Sequence, residues 1–342
     1  MADRTSRWML GLCTAILAAG AFRLAEPILA PIAFALFTMA LAWPVQRAAQ
    51  ARLPVFVALL GTVLLTLVVL VALALAAGWG FGRVARWVIA NAATLQLFYA
   101  QQMDWLESHG IGAAAMLGEP FDTRGLIRIA QTVLLQLQGI ASFLGITLVF
   151  VILGLLEVGV MRRQLEHLGR EGGIAAGLLR AGRQSMAKLR AYMLVRTVMS
   201  AVTGLAVWAF AYALGLALAP EWGVIAFVLN YIPFIGALLA TLLPTLFAAL
   251  QFGTWEAAAT VFLVLQATQF ITGNAIEPLL TGARLALSPF MVLVAVFFGA
   301  FLWGIPGAFI GVPVLIVALT LCEQFPSSRP VAALLSGRDP DG

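Results

Sequence analysis

Asn230-Tyr231-Ile232-Pro233-Phe234-Ile235-Gly236 interrupts an apolar run over residues 222–250. The run is long enough to cross a bilayer, which takes about 20 apolar residues in helix. Yet an amide, a phenol, a Pro and a Gly stand in its middle, and Pro244 follows at hairpin distance. In hydrocarbon every backbone N–H and C=O needs an internal partner, so a lipid-facing helix is not built this way. Broken backbone at membrane depth is tolerated where protein covers it or where it lines a wet cavity. Transporters place substrate and ion sites at such breaks. The stretch points to movement of a solute or ion across a membrane, not to soluble chemistry.

The rest of the composition agrees. Of 342 residues, 62% are hydrophobic and 10% charged, and the mean hydropathy is +1.01. A soluble domain carries about 25% charged residues, so this chain lacks the polar surface to keep a globule in water. Long unbroken runs of Leu, Ala and Val exclude a β-barrel, whose strands alternate over ~10 residues. The expected fold is all-α, a polytopic transmembrane helical protein. The net charge of +5 resides almost wholly in Arg, with Lys188 the single Lys, and the charges cluster between apolar runs. The positive-inside bias produces that pattern, and nucleic acid is not needed as a partner to explain it.

Apolar runs fall at 8–22, 28–43, 55–79, 139–156, 195–218, 222–250, 257–272, 289–303 and 305–321. Arg4 and Arg7 precede the first run as in a signal peptide, but a second run begins at Ile28, so a hairpin of membrane helices is the preferred reading. Arg4, Arg7, Arg47, Arg52 and the basic segment 162–196 share one side, the cytoplasm. If 222–250 is a re-entrant hairpin, the chain makes about eight spans with both ends cytoplasmic; if it spans once, about nine. The organisation is then 1–79, N-terminal membrane helices; 80–138, an extracytoplasmic amphipathic helical segment; 139–194, a membrane helix and a basic cytoplasmic helix broken at Gly172-Gly173. Residues 195–325 form a C-terminal transport core and 326–342 a cytoplasmic tail. In 80–138, turn signals at Gly110-Ile-Gly112 and Gly118-Glu-Pro120 separate two amphipathic helices.

Catalytic chemistry finds little support. His109 and His167 lie far apart and outside the apolar runs, and metalloprotease, serine-hydrolase and phosphate-loop patterns are absent. No enzyme activity, cofactor or metal site is expected, nor ATP-driven pumping by this chain. Cys13 and Cys322 stand alone in apolar segments and read as small buried hydrophobes. Better leads lie near the C-terminal runs. Asn274 and Glu277, at i and i+3, share a helix face, and Pro278 and Gly282 follow. Glu277 reads either as a handler of a proton or cation at a helix break or as an interfacial residue. Gln266, Thr268, Gln269 and Thr272 make a polar stripe, read as interhelical hydrogen-bond glue or as pathway lining. Gly299, Gly304, Gly307 and Gly311 with Pro306 and Pro313 predict close packing and a sharp turn at 303–307.

Asn230-Tyr-Ile-Pro-Phe-Ile-Gly236, Glu277-Pro-Leu-Leu-Thr-Gly282, Leu287-Ser-Pro289 and Gly304-Ile-Pro-Gly-Ala-Phe-Ile-Gly-Val-Pro313 occur in that order. With them the chain resembles the autoinducer-2 exporter family, the PerM-like permeases. The resemblance covers most of the chain and is most specific over residues 196–321. It implies eight spans, a re-entrant hairpin and a homo-oligomer, pentameric by the family's habit, in a bacterial inner membrane. It also implies export of autoinducer-2 or, in some members, sodium–proton exchange. The family's Pro-x-x-Gly hairpin falls on Pro233 and Gly236, and its Glu-Pro motif on Glu277 and Pro278. Many relatives carry Gly-Pro after the turn, whereas here Ala237 follows Gly236.

The first reading is a secondary transporter that exports a small polar solute without ATP. Its partners are the bilayer, the solute or ion, and further copies of itself. The pathway residues are Asn230, Tyr231, Pro233, Gly236, Gln269, Asn274, Glu277, Pro278 and Gly282. A sodium–proton antiporter is a subclass of this reading. A non-transporting scaffold, binding partners through residues 80–138, is the alternative from another class.

Overall fold

A computed structural model describes residues 2–108, 123–168, 173–277, 287–325 and 328–336. Among these the chain is helical and holds no strand. The helices are α1 (Ala2–Leu24), α2 (Glu26–Gln50), α3 (Val55–Ala90), α4 (Ala92–Ser108), α5 (Thr123–Leu168) and α6 (Gly173–Ala213). Then come α7 (Ala219–Leu229), α8 (Ile235–Phe252), α9 (Trp255–Ile271) continued by a π-helical stretch (Thr272–Ile276), α10 (Pro289–Gln324) and α11 (Arg329–Ser336). Seven of the described helices are long and apolar enough to cross a membrane, and Met9–Leu24 and Ala219–Leu229 are shorter apolar helices. The chain is an all-α polytopic membrane protein. Large apolar side chains such as Leu75, Leu153, Leu263 and Phe290 stand exposed on these helices, as lipid contact requires.

Several helices outrun the bilayer. At 1.5 Å per residue, α3, α5 and α6, with 36, 46 and 41 residues, measure about 54, 69 and 62 Å, against a hydrocarbon core of ~30 Å. Helix therefore continues where the apolar pattern stops. α3 carries through residue 79 to Ala90, and α5 crosses residues 138–139 unbroken. The turn signals at 110–112 and 118–120, and Gly172, lie outside the described residues. Cys13 is exposed and Cys322 only partly buried. Neither is the buried small hydrophobe its apolar context predicted, because a membrane helix turns part of its apolar surface to lipid instead of to a core.

The chain divides into two compact units. One comprises residues 1–69, 143–195 and 281–342. Its core packs Ala35, Leu59, Val151 and Leu155 with Met39 and Trp43 around them, and Phe34 meets Phe37, Phe143 and Phe309 at ring-centroid distances of 5.5–6.1 Å. Within it α10 is a helical hairpin. Trp303 (φ −136°, ψ 26°) and Gly304 (φ 58°, ψ −138°) leave the helix. A Cβ on Gly299 would collide with the Gly307 carbonyl, and one on Gly311 with the Ala295 carbonyl. Those pairings are symmetric about residue 303, so the two arms run antiparallel with backbones in contact. The turn expected at 303–307 and the separate runs on either side of it are both present.

The other unit comprises residues 70–142 and 196–280. Its core joins Val207 and Ala211 of α6, Trp222, Ile225 and Ala226 of α7, Ala240, Phe247 and Ala248 of α8, and Val261 and Leu265 of α9. α7 and α8 form a second antiparallel helical hairpin: Trp222 packs on Phe247 with centroids 5.1 Å apart, and Gly236 abuts the Leu229 carbonyl. The mouth of this hairpin is clasped by Gln251, whose Oε1 accepts from the Ala217 N–H at 2.7 Å while its Nε2 donates to the Gly215 carbonyl at 2.9 Å. α7 has 11 residues and rises only about 16 Å, too short to cross a ~30 Å hydrocarbon core by itself.

Candidate functional site

The break between α7 and α8 is a built turn. The Asn230 N–H donates to the Ala226 carbonyl and the Ile232 N–H to the Leu229 carbonyl, closing α7. Pro233 then ends the helix, because it has no N–H to continue the ladder. Phe234 adopts φ 61°, ψ −59°, and the Ile235 N–H donates to the Pro233 carbonyl at 2.7 Å. This is a γ-turn with positive φ, a strained form. Two residues later only Gly fits, since a Cβ at Gly236 would lie on the Leu229 carbonyl. Asn230 and Tyr231 are buried.

Two adjacent residues of α6 tie this turn to the end of α9. Thr197 Oγ1 and the Tyr231 hydroxyl are 3.1 Å apart. Next to it, an Arg196 guanidinium nitrogen lies 3.1 Å from a Glu277 carboxylate oxygen. One level of α6 thus holds both the hairpin tip and the first residue after the π-helical stretch. That level is where the basic segment 162–196 meets the apolar run 195–218. Arg196 and Glu277 side chains are 13% and 31% exposed, intermediate between a surface pair and a buried one. Close approach of α6 and α7 holds the register: a Cβ on Gly204 would stand 2.8 Å from the Gly223 carbonyl oxygen.

Further polar groups lie along the helices of this unit. Ser200 and Thr203, on the turns of α6 after Arg196, are fully buried, and their hydroxyls have no hydrogen-bond partner among the described residues; the same holds for Thr241 Oγ1 on α8 and Gln269 Nε2 on α9. Unsatisfied buried polar groups are uncommon in folded proteins.

The sequence-predicted residues are distributed as follows. Asn230, Tyr231, Pro233 and Gly236 form the break. Glu277 meets it through α6. Gln269 lies eight residues before Glu277, with its amide nitrogen buried. Asn274 is exposed, and its Nδ2 donates to the Phe270 carbonyl at 3.1 Å; the π-helical stretch widens the turn, so Asn274 does not join Glu277 at Arg196. Pro278 and Gly282 lie outside the described residues. Of the polar stripe on α9, Thr268 and Thr272 direct their hydroxyls to carbonyls of their own helix, which satisfies them without joining a neighbour. The sequence reading missed Arg196 as a site residue. Its signal was present, since it is an ionisable residue inside an apolar run.

A second ion pair stands near the opposite end of α7. Glu221, in the first turn of α7 and 3% exposed, meets Arg83 of α3 at 2.9 Å. The helix N-terminus adds partial positive charge there.

Fold and site define a polytopic helical membrane protein of the transporter class, with a strained helical hairpin and an ion pair at its tip. The model of the AI-2E family transporter matches residues 12–327, and the chain belongs to that family. It is similar along its length to the AI-2 transport protein TqsA of Escherichia coli (strain K12), 28% identical over 333 residues, covering 96% of this chain and 94% of that one. A putative transport protein of Haemophilus influenzae is 25% identical over 338 residues, 96% of each chain. The putative transport protein YhhT of Escherichia coli (strain K12) is 32% identical over 146 residues, 42% of this chain and 41% of that one. The expected family is thereby established, and the protein is a membrane transporter.

Proposed function

We propose that this transporter exports a small polar solute, autoinducer-2 or a compound of similar polarity, across the bacterial inner membrane as a homo-oligomer and without ATP. The observation that carries the reading is the Arg196–Glu277 pair beside the hairpin break. A guanidinium and a carboxylate at the cytoplasmic boundary offer both donors and acceptors to a hydroxyl-rich solute. The solute would compete for those groups, loosen the pair and enter past Asn230 and Tyr231. The buried, unpartnered Ser200, Thr203, Thr241 and Gln269 groups then supply hydrogen bonds further in, replacing those lost on leaving water. The name of the Escherichia coli relative ties that protein to AI-2 transport, which supports the choice of solute class.

The pair also bears on coupling. A carboxylate already neutralised by a guanidinium 3.1 Å away is a poor isolated sodium site, so Glu277 serves here as one half of a gate. A mutational scan tests transport against the scaffold reading. A transporter loses solute flux, with assembly retained, on substitution at Asn230 and Glu277. Loss of partner binding on substitution within 80–138, with flux unaffected by Glu277→Gln, would favour the scaffold.

A further inference from the structure

The unit that holds residues 1–69, 143–195 and 281–342 contains a cavity of about 880 Å³ that the transport reading does not use. Sites for small molecules commonly enclose about 300–1,000 Å³. One wall is a single stripe of α5, residues 150, 153, 154, 157, 158 and 161, at the spacing of one helix face. The other walls come from residues 32–43 of α2, 178–189 of α6 and 310–321 of α10.

The lining differs in charge from the helices that supply it. Residues 162–196 are basic, yet no Arg or Lys lines the cavity and a single acid, Glu157, does. Glu157 stands within the α5 stripe, about one turn from Gly154 and from Met161, so its side chain shares the lining face. Its neighbours in sequence, Leu155, Leu156, Val158 and Val160, are apolar, and a lone ionisable residue in a membrane helix is a functional candidate by default. Glu157 is exposed, and among the described residues it has no ion-pair partner. Basic groups of the same two helices are engaged elsewhere: Arg162 with Glu166 at 2.7 Å and Lys188 with Glu323 at 2.8 Å, while Arg180 Nε donates to Gln324 Oε1 at 3.4 Å. A carboxylate on an apolar wall attracts a cation more strongly than one in open water, because the low-dielectric wall screens it less. The rest of the lining suits the body of an organic cation. Phe37, Trp43 and Phe150 bring aromatic rings, whose π-systems attract cations. Met39, Met161 and Met186 bring flexible, polarisable side chains that adapt to irregular shapes.

We infer that this cavity binds a lipophilic organic monocation. The apolar body fills the space between the four helices, and the positive charge lies against Glu157. A neutral apolar molecule would leave the carboxylate without a counter-charge, and an anion would be repelled by it. Nothing in the inference depends on which solute is transported.

Tetraphenylphosphonium and tetraphenylborate share a shape and differ in the sign of their charge, so together they separate charge from apolar fit. Binding of each to the full-length protein in dodecyl maltoside is measured by equilibrium dialysis, with empty micelles as the background. The wild type should bind tetraphenylphosphonium saturably and prefer it to tetraphenylborate at least about tenfold, the factor given by about 1.4 kcal/mol of differential attraction. Glu157→Gln, at an exposed position with no ion pair to break, should keep the wild-type circular dichroism and lose most of that preference. Gly182 lines the cavity, and a Cβ added there would meet nothing within 4 Å. Gly182→Phe should therefore fold, place a ring at the wall and weaken tetraphenylphosphonium binding at least about tenfold. Absence of saturable binding by the wild type overturns the proposal, as does equal affinity for the two ions. Wild-type preference in folded Glu157→Gln, or wild-type binding in folded Gly182→Phe, also overturns it. If Gly182→Phe does not fold, the comparison of wild type with Glu157→Gln decides alone.

Discussion

Glu277→Gln removes the charge that Arg196 faces while keeping side-chain size. At 3.1 Å, the attraction at an effective dielectric of 20 is about 5 kcal/mol before desolvation is counted. Exposed pairs measure about 0–1 kcal/mol, whereas removing one partner of a buried pair costs about 3–5. With Arg196 13% and Glu277 31% exposed, the expected loss is about 2 kcal/mol. That is enough to lower the melting temperature in detergent by several degrees and too little to prevent insertion. Arg196→Gln should cost a similar amount. The double variant should cost less than the sum of the two, because it leaves no uncompensated charge. The assay is a double-mutant cycle of thermal stability in detergent, run in parallel with solute flux in proteoliposomes. Both single variants should lose at least about tenfold in flux with assembly intact, which corresponds to about 1.4 kcal/mol in the rate-limiting barrier. A coupling energy below about 0.5 kcal/mol together with wild-type flux would refute the reasoning, since the pair would then be neither structural nor part of the pathway.

Other substitutions read the scaffold around the site. Gly236→Val should abolish correctly assembled protein on size-exclusion chromatography, because its side chain would collide with the Leu229 carbonyl and no rotamer relieves a clash at Cβ. Gln251→Ala frees the mouth of the same hairpin by deleting two hydrogen bonds and should cost about 1–3 kcal/mol, seen as a lower melting temperature. Arg83→Gln leaves Glu221 buried against a neutral partner and should destabilise by about 1–3 kcal/mol; Arg83→Gln/Glu221→Gln should recover part of that loss in the same thermal measurement.

Much of the fold was legible because a bilayer imposes simple rules. Apolar length marked the membrane helices, and Pro233, Gly236 and the 303–307 segment marked the two breaks, since hydrocarbon tolerates such residues only at special places. What the pattern could not show was helix continuing beyond the membrane. α5 and α6 extend through residues whose apolar periodicity fades, because backbone hydrogen bonding does not stop where hydrophobicity does. At the site, local sequence identified the turn but not its partners. Tyr231 meets Thr197 and Glu277 meets Arg196 across about 34 and 81 positions in sequence; only packing of α6 against the hairpin and α9 brings them to one level. Arg196 was hidden among the arginines of the basic segment and counted there only as charge on the cytoplasmic side. Asn274 was paired with Glu277 on the spacing of an ordinary helix, and the π-helical stretch at Thr272–Ile276 changed that spacing.

The central claim is that the chain moves a polar solute past the Arg196–Glu277 pair. The measurement that tests it most directly is flux of autoinducer-2 and a panel of small polar solutes in proteoliposomes of the purified protein, with and without imposed proton and sodium gradients. The account predicts flux without ATP that responds to a gradient and falls at least about tenfold in Glu277→Gln. Absence of flux for every solute and ion, from protein that is inserted and assembled, would contradict it.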